Sequence, residues 1–149
     1  MAASVFFAAL HHLLFFIIAA VLAAELVVVS EPVTARHARR LALLDAHYGA
    51  AALGIFAVGF IRAVYFEKGW AFYAGNPFFH AKIGAFLLVA LISIYPTVQI
   101  IRWRRRAAAH DVPPDIPARE KVRLCVLVEL IGLGAVFVFA ALMARGVGD

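Results

Sequence analysis

The chain has 149 residues, of which 65% are hydrophobic and only 15% charged. Water-soluble domains run nearer ~45–50% apolar and ~25% charged, so a soluble fold is excluded and a single integral membrane domain, residues 1–149, remains. The formal net charge of +5 does not point to nucleic acid, because the basic residues cluster beside apolar segments, which is the pattern of membrane topology.

A helix needs about 20 mainly apolar residues to cross the hydrocarbon core. Four stretches meet this, at 5–29, 46–65, 79–101 and 122–144, and they predict an all-α, four-helix transmembrane bundle. The first stretch is read as a retained helix rather than a signal peptide. No Lys or Arg precedes it, its apolar run is longer than an h-region, and no clear cleavage site follows.

Three connections then separate the spans. The first, 30–45, carries Arg36, Arg39 and Arg40; the second, 66–78, is rich in Gly and aromatics; the third, 102–121, carries Arg102, Arg104, Arg105, Arg106, Arg119 and Lys121, with Arg123 just beyond. Ten Lys and Arg fall on the side of the first and third connections, against four (Arg62, Lys68, Lys82 and Arg145) on the other. The positive-inside rule therefore predicts cytoplasmic first and third connections and exoplasmic termini. Tyr65, Trp70, Phe72 and Tyr73 are expected in an outer aromatic belt and Trp103 in an inner one.

Ionisable groups inside spans are costly, so each is interfacial, paired in the bundle interior, or functional. Depth sorts them into two layers. His11, His12, Arg62, His80 and Lys82 belong to the half nearer the termini, and Glu25, His47, Tyr95, Gln99 and Glu129 to the other. At 100° per residue His11 and Glu25 lie within about 40° of each other on the first helix, whereas His12 points roughly 100° away. His80 lies about 200° from Lys82, so the two cannot both look straight into one core. On the fourth helix Cys125, Glu129, Gly132 and Val136 share a face, and the small Gly132 permits close helix approach.

The two layers admit different chemistry. Imidazoles on separate helices can hold a haem iron or copper in a bundle, with His11, His12 and His80 as the ligands on offer and His11 and His80 as the metal pair. Arg62 and Lys82 would neutralise propionates or bind an anionic substrate. Copper is the weaker choice, since Met1 and Met143 are the only methionines. The ordinary alternative is that these residues sit at helix ends and bond loops, water and headgroups. For Glu25, His47 and Glu129 the functional reading is a proton relay, and the ordinary one is a hydrogen-bonded cluster that fixes helix register. The single Cys125 excludes an internal disulfide and any Cys-rich metal site. No phosphate loop, nucleophile elbow, HExxH or paired-Cys motif is present.

The string formed by LHH at 10–12, Glu25, Asp45, YG at 48–49, GFIRAVYFEKG at 59–69, YAGNPFFHAK at 73–82, YPT at 95–97, RW at 102–103, Glu129 and MARG at 143–146 resembles a bacterial domain-of-unknown-function family of small four-helix membrane proteins. More distantly, LH at 10–11 with FFHAK at 78–82 is similar to the first-helix His and third-helix His-x-Lys pattern of HemJ-type protoporphyrinogen oxidases and CopD-like membrane proteins. That similarity implies haem b, with His11 as an axial ligand or its neighbour and Lys82 acting near a porphyrin. His12 and the long segment 59–70 depart from the pattern.

The leading expectation is thus a haem b-binding redox protein of the bacterial inner membrane, possessing oxidoreductase activity through Lys82 and Arg62. A porphyrin or quinone-type substrate, surrounding lipid, and a redox partner or second copy are its expected partners. A proton- or metal-coupled transporter using the inner residues, and a non-catalytic accessory subunit, are the alternatives.

Overall fold

The computed structural model describes residues 2–66, 75–110 and 116–146. They form four helices: α1 (Ala2–Ser30), α2 (Ala35–Ile61), α3 (Pro77–His110) and α4 (Ile116–Ala144). A π-helical turn, Arg62–Phe66, continues α2. All four helices are long and apolar enough to cross a membrane, as the sequence predicts.

The helices run beyond the expected spans, most clearly between α1 and α2. Residues 30–45 are not a loop, because the chain reverses within residues 31–34. Thr34 caps α2, its Oγ1 accepting from the His37 N–H at 3.3 Å, and the buried Val33 tucks in just before it. This satisfies one of the donors that every helix start leaves open. Arg36, Arg39 and Arg40 therefore stand on the first turns of α2, while Ala38, Leu41 and Ala42 on the same turns are buried. Arg102, Arg104, Arg105 and Arg106 likewise extend α3, not a connection, and are exposed. Apolar-run length marks only the part of a helix that lipid covers, so amphipathic turns beyond it go unseen.

The other ends are defined just as locally. Asn76 caps α3, its Oδ1 accepting from the N–H groups of Phe78 at 2.9 Å and Phe79 at 3.3 Å, with Pro77 at the first helical position, where its missing N–H is harmless. Gly146 follows α4 with φ of 72°, a left-handed conformation that glycine adopts freely at a helix end.

Cross-helix contacts set the order and direction of the bundle. Phe7 stacks on Phe66, His11 packs against Gly59, and Leu14 packs against Gly54, so α1 and α2 are antiparallel. Phe56 stacks on Phe86, Val89 meets Gly132, and Phe15 lies beside Phe137. Each helix thus runs opposite to both of its neighbours. Among the described residues α1 lies against α2 and α4, α3 lies against the same two, and the diagonal pairs keep their backbones apart and meet through side chains such as Tyr48 of α2 and Glu129 of α4. The core is filled by Ile18, Leu22, Leu41, Ile100, Val122 and Val126, all essentially inaccessible. Phe6, Phe16, Leu53, Leu91 and Ile131 are more than half exposed, an outward apolar surface that suits lipid rather than water.

Trp103 is not a belt residue. It is 3% exposed and belongs to the core cluster with Ile100 and Val122, because it faces inward on α3 while the arginines around it face out. Tyr65 is exposed, as a belt residue should be. Trp70, Phe72, Tyr73 and Lys68 lie outside the described residues.

Candidate functional site

Of the two polar layers, the one nearer the termini is spread over separate faces among the described residues. His12 is exposed, and its Nδ1 lies 2.7 Å from the Ala8 carbonyl of its own helix. His80 is exposed on the first turn of α3, its ring edge-on to Phe79. Lys82 is half-buried with Nζ 5.3 Å from the Phe79 ring centre, and Arg62 is half-buried in the π-helical turn. His11 is half-buried and turned toward α2, so closely that a Cβ on Gly59 would stand 3.1 Å from its Cε1.

A haem gripped between His11 and His80 would need both imidazoles to face one slot from opposite sides. His11 is closed against Gly59 of α2, and His80 on α3 is exposed. The described residues do not fit that group. Nor do any three described His, Cys, Asp or Glu lie close enough together to hold a metal ion.

The second layer does converge. Glu25 on α1 is 2% exposed and Glu129 on α4 is 1% exposed. These helices are neighbours, and the charged neighbours of Glu25 are Glu129 and Asp45 of α2. Oε1 of Glu25 and Oε1 of Glu129 are buried and accept no hydrogen bond from the described residues. Buried polar atoms are nearly always paired, and leaving one unpaired costs about 1–3 kcal/mol. Asp45 differs, since its Oδ1 accepts from the Thr97 hydroxyl of α3 at 2.6 Å. The Tyr48 hydroxyl, one turn beyond Asp45, donates to the Glu129 carboxyl and also meets Ser93. All four helices therefore contribute polar groups to one level of the core.

Local sequence explains this placement. Once α2 begins at Ala35, Asp45 and Tyr48 fall on the inward stripe that continues through Ala51 and Ile55, with the three- and four-residue steps of a helix face. On α3 the buried Pro96 has no N–H, which leaves the helical ladder one bond short at this level. Glu129 shares its face with Gly132, where a Cβ would stand 2.5 Å from Val89 Cγ2, so α3 and α4 are tightly packed one turn from the carboxyl.

The sequence places Glu25, His47 and Glu129 in this half of the bundle. The structure brings Glu25 and Glu129 together, but His47 is exposed, its Nδ1 2.6 Å from the Leu43 carbonyl. Asp45, two residues earlier, occupies the interior place on α2. Asp45, Ser93 and Thr97 were missed as site residues, as was the hydroxyl of Tyr48. Asp45 and Tyr48 share a stripe by their three-residue step along α2, whereas Ser93 and Thr97 are placed by the packing of α3 against α2.

A groove of about 430 Å³ opens beside this layer, between α2 and α3. Its walls are apolar, with Phe56 and Phe86 stacked at 6.2 Å, and the polar side chains lining it are Tyr48, Ser93 and Thr97. Leu53, Phe56 and Leu87 at its rim are half or more exposed, so it faces the lipid sideways.

Residues 3–148 match the family profile described as Predicted membrane protein (DUF2214). The chain belongs to that family. No curated protein and no solved structure matches it. Membership covers nearly the whole bundle and agrees with the four spans seen in the structure. Similarity to HemJ-type or CopD-like proteins is not among these findings.

Proposed function

We propose that this protein is a small membrane carrier that couples transport to proton binding at Glu25, Asp45 and Glu129. One observation carries the reading: two fully buried carboxyls on adjacent helices each keep an oxygen without a hydrogen-bond donor. A polar cluster that served only to lock helix register would be expected to satisfy its members, as Asp45 and Thr97 do. Carboxyls held in a membrane interior by contrast mark ion and proton pathways. The proton is favoured over a metal as the coupling ion, because the carboxyls do not assemble a ligand cluster.

The charge distribution supports an orientation with the arginine end in the cytoplasm of a bacterial inner membrane. A reporter fused after Asp149 is expected to be active only outside the cytoplasm.

Infrared difference titration of the protein in lipid nanodiscs tests the coupling groups directly. A carboxylic-acid C=O band should grow and fade with pH and lose intensity in Glu25→Gln and in Glu129→Gln. If no titrating carboxyl band is assignable to either residue at any pH at which the bundle stays folded, the proton-coupled reading fails.

A further inference from the structure

We infer that the groove between α2 and α3 admits a lipophilic organic cation from the bilayer and seats its charge against the carboxyl layer. The inference rests on the proton-coupled reading and names its substrate class. Three independent features of the groove agree on this occupant.

The first is access. The rim residues Leu53, Phe56 and Leu87 face outward, so a molecule already dissolved in the hydrocarbon reaches the groove without crossing water. Its volume, about 430 Å³, falls in the usual range of small-molecule sites, roughly 300–1,000 Å³.

The second is the wall. Phe56 and Phe86 lie nearly parallel, 16° apart, on either side of the α2–α3 seam, and aromatic faces attract cations as well as apolar rings.

The third is charge. Tyr48, Ser93 and Thr97 line the groove, and the carboxyls stand one side chain behind them: Asp45 is bonded to Thr97, and Glu129 lies beside Tyr48. Around Glu129 the titratable groups from the packed elements are Glu25 of α1, Asp45 and Tyr48 of α2, and Cys125 of its own helix, while α3 offers the neutral Ser93. None of these supplies a positive charge. In a low-dielectric interior, charge acts strongly across a single intervening side chain. A cation in the groove would provide a counter-charge that the described residues do not supply to Asp45 and Glu129, and would compete with protons for the same carboxyls. A neutral or anionic molecule of the same shape would gain nothing from them.

Tetraphenylphosphonium is a suitable probe, being a permanent aryl cation that cannot itself titrate. Equilibrium binding of the radiolabelled ion to protein-loaded nanodiscs, above the empty-disc background, should be saturable and weaken as pH falls. Glu129→Gln should weaken it at least tenfold. Ala90→Phe, which fills the groove wall without touching a carboxyl, should also weaken it at least tenfold while the infrared carboxyl titration stays as in wild type. Tetraphenylborate and a neutral short-chain quinone should not compete.

The inference is overturned if tetraphenylphosphonium shows no saturable binding, if tetraphenylborate or the quinone binds as tightly, or if Ala90→Phe binds like wild type. A titrating carboxyl band without cation binding sinks the substrate class and spares the proton-coupled reading. Saturable cation binding without such a band supports the groove and sinks the coupling.

Discussion

The two polar layers of this bundle contain similar numbers of ionisable side chains and differ in what the helices do with them. Fourteen residues, about 21 Å of helix rise, separate His11 from Glu25 on the same stripe of α1. At the first level the imidazoles are dispersed: His12 and His80 face outward, and His11 is closed against Gly59. At the second level Glu25, Asp45, Tyr48, Ser93, Thr97 and Glu129 arrive from four helices at one place. The difference teaches that residue chemistry nominates a site, but convergence makes one.

The largest expected effect tests whether close packing holds the carboxyl layer together. Gly132→Leu places its side chain into Val89, already 2.5 Å from the first added carbon. Overpacking of this kind costs about 1–3 kcal/mol, read as a fall in melting temperature in detergent. Trimming the opposing side chain in Gly132→Leu/Val89→Ala should restore a large part of it. The matching change at the other level, Gly59→Ala, meets only a movable His11 ring at 3.1 Å and gains up to about 1 kcal/mol of helix propensity; its melting temperature should stay close to wild type. Equal losses for Gly132→Leu and Gly59→Ala would erase this contrast.

Next in size is the carboxyl that bonds to α3. Thr97→Val keeps the shape but removes the donor to Asp45 Oδ1, at an expected cost of about 1–3 kcal/mol for an acceptor left without its partner. Unchanged thermal stability would mean that the 2.6 Å contact does not hold α2 to α3.

Glu25, whose Oε1 has no donor among the described residues, should respond in the opposite direction. Glu25→Met fills a similar volume with nothing to desolvate, so it should stabilise the bundle by about 1–2 kcal/mol while weakening the infrared band. A gain in stability with a loss of function is the mark of a group kept for its chemistry. A drop in melting temperature for Glu25→Met would instead identify Glu25 as a packing lock and would collapse the distinction from Asp45.

The smallest effects belong to the dispersed histidines. His12→Ala and His47→Ala remove exposed rings that bond only carbonyls of their own helix, and both should stay within about 0.5 kcal/mol of wild type, with infrared titration unaltered. A lost carboxyl band in His47→Ala would return that residue to the relay.

Much of this architecture is legible in composition and order alone. Four apolar runs demand four helices, since in lipid every backbone group must be satisfied within its own segment, and short connections make neighbouring helices antiparallel. Glu25 and Glu129 stand out because a carboxyl inside such a run has no cheap place to go. The arginine-rich end, too, is visible as a one-sided count. Sequence could not decide which stripe of each helix faces which neighbour. Residues one apart differ by 100° of rotation, and the packing of α2 turns Asp45 and Tyr48 inward and His47 out. Trp103, Ser93 and Thr97 are likewise placed by the phase of α3 against its two neighbours. Whether His11 meets His80 depends on the ring order α1, α2, α3, α4, which sets them on diagonal helices. Hydropathy determines that a helix is buried in the membrane, whereas side-chain convergence depends on rotation and packing order, and those are properties of the assembled bundle.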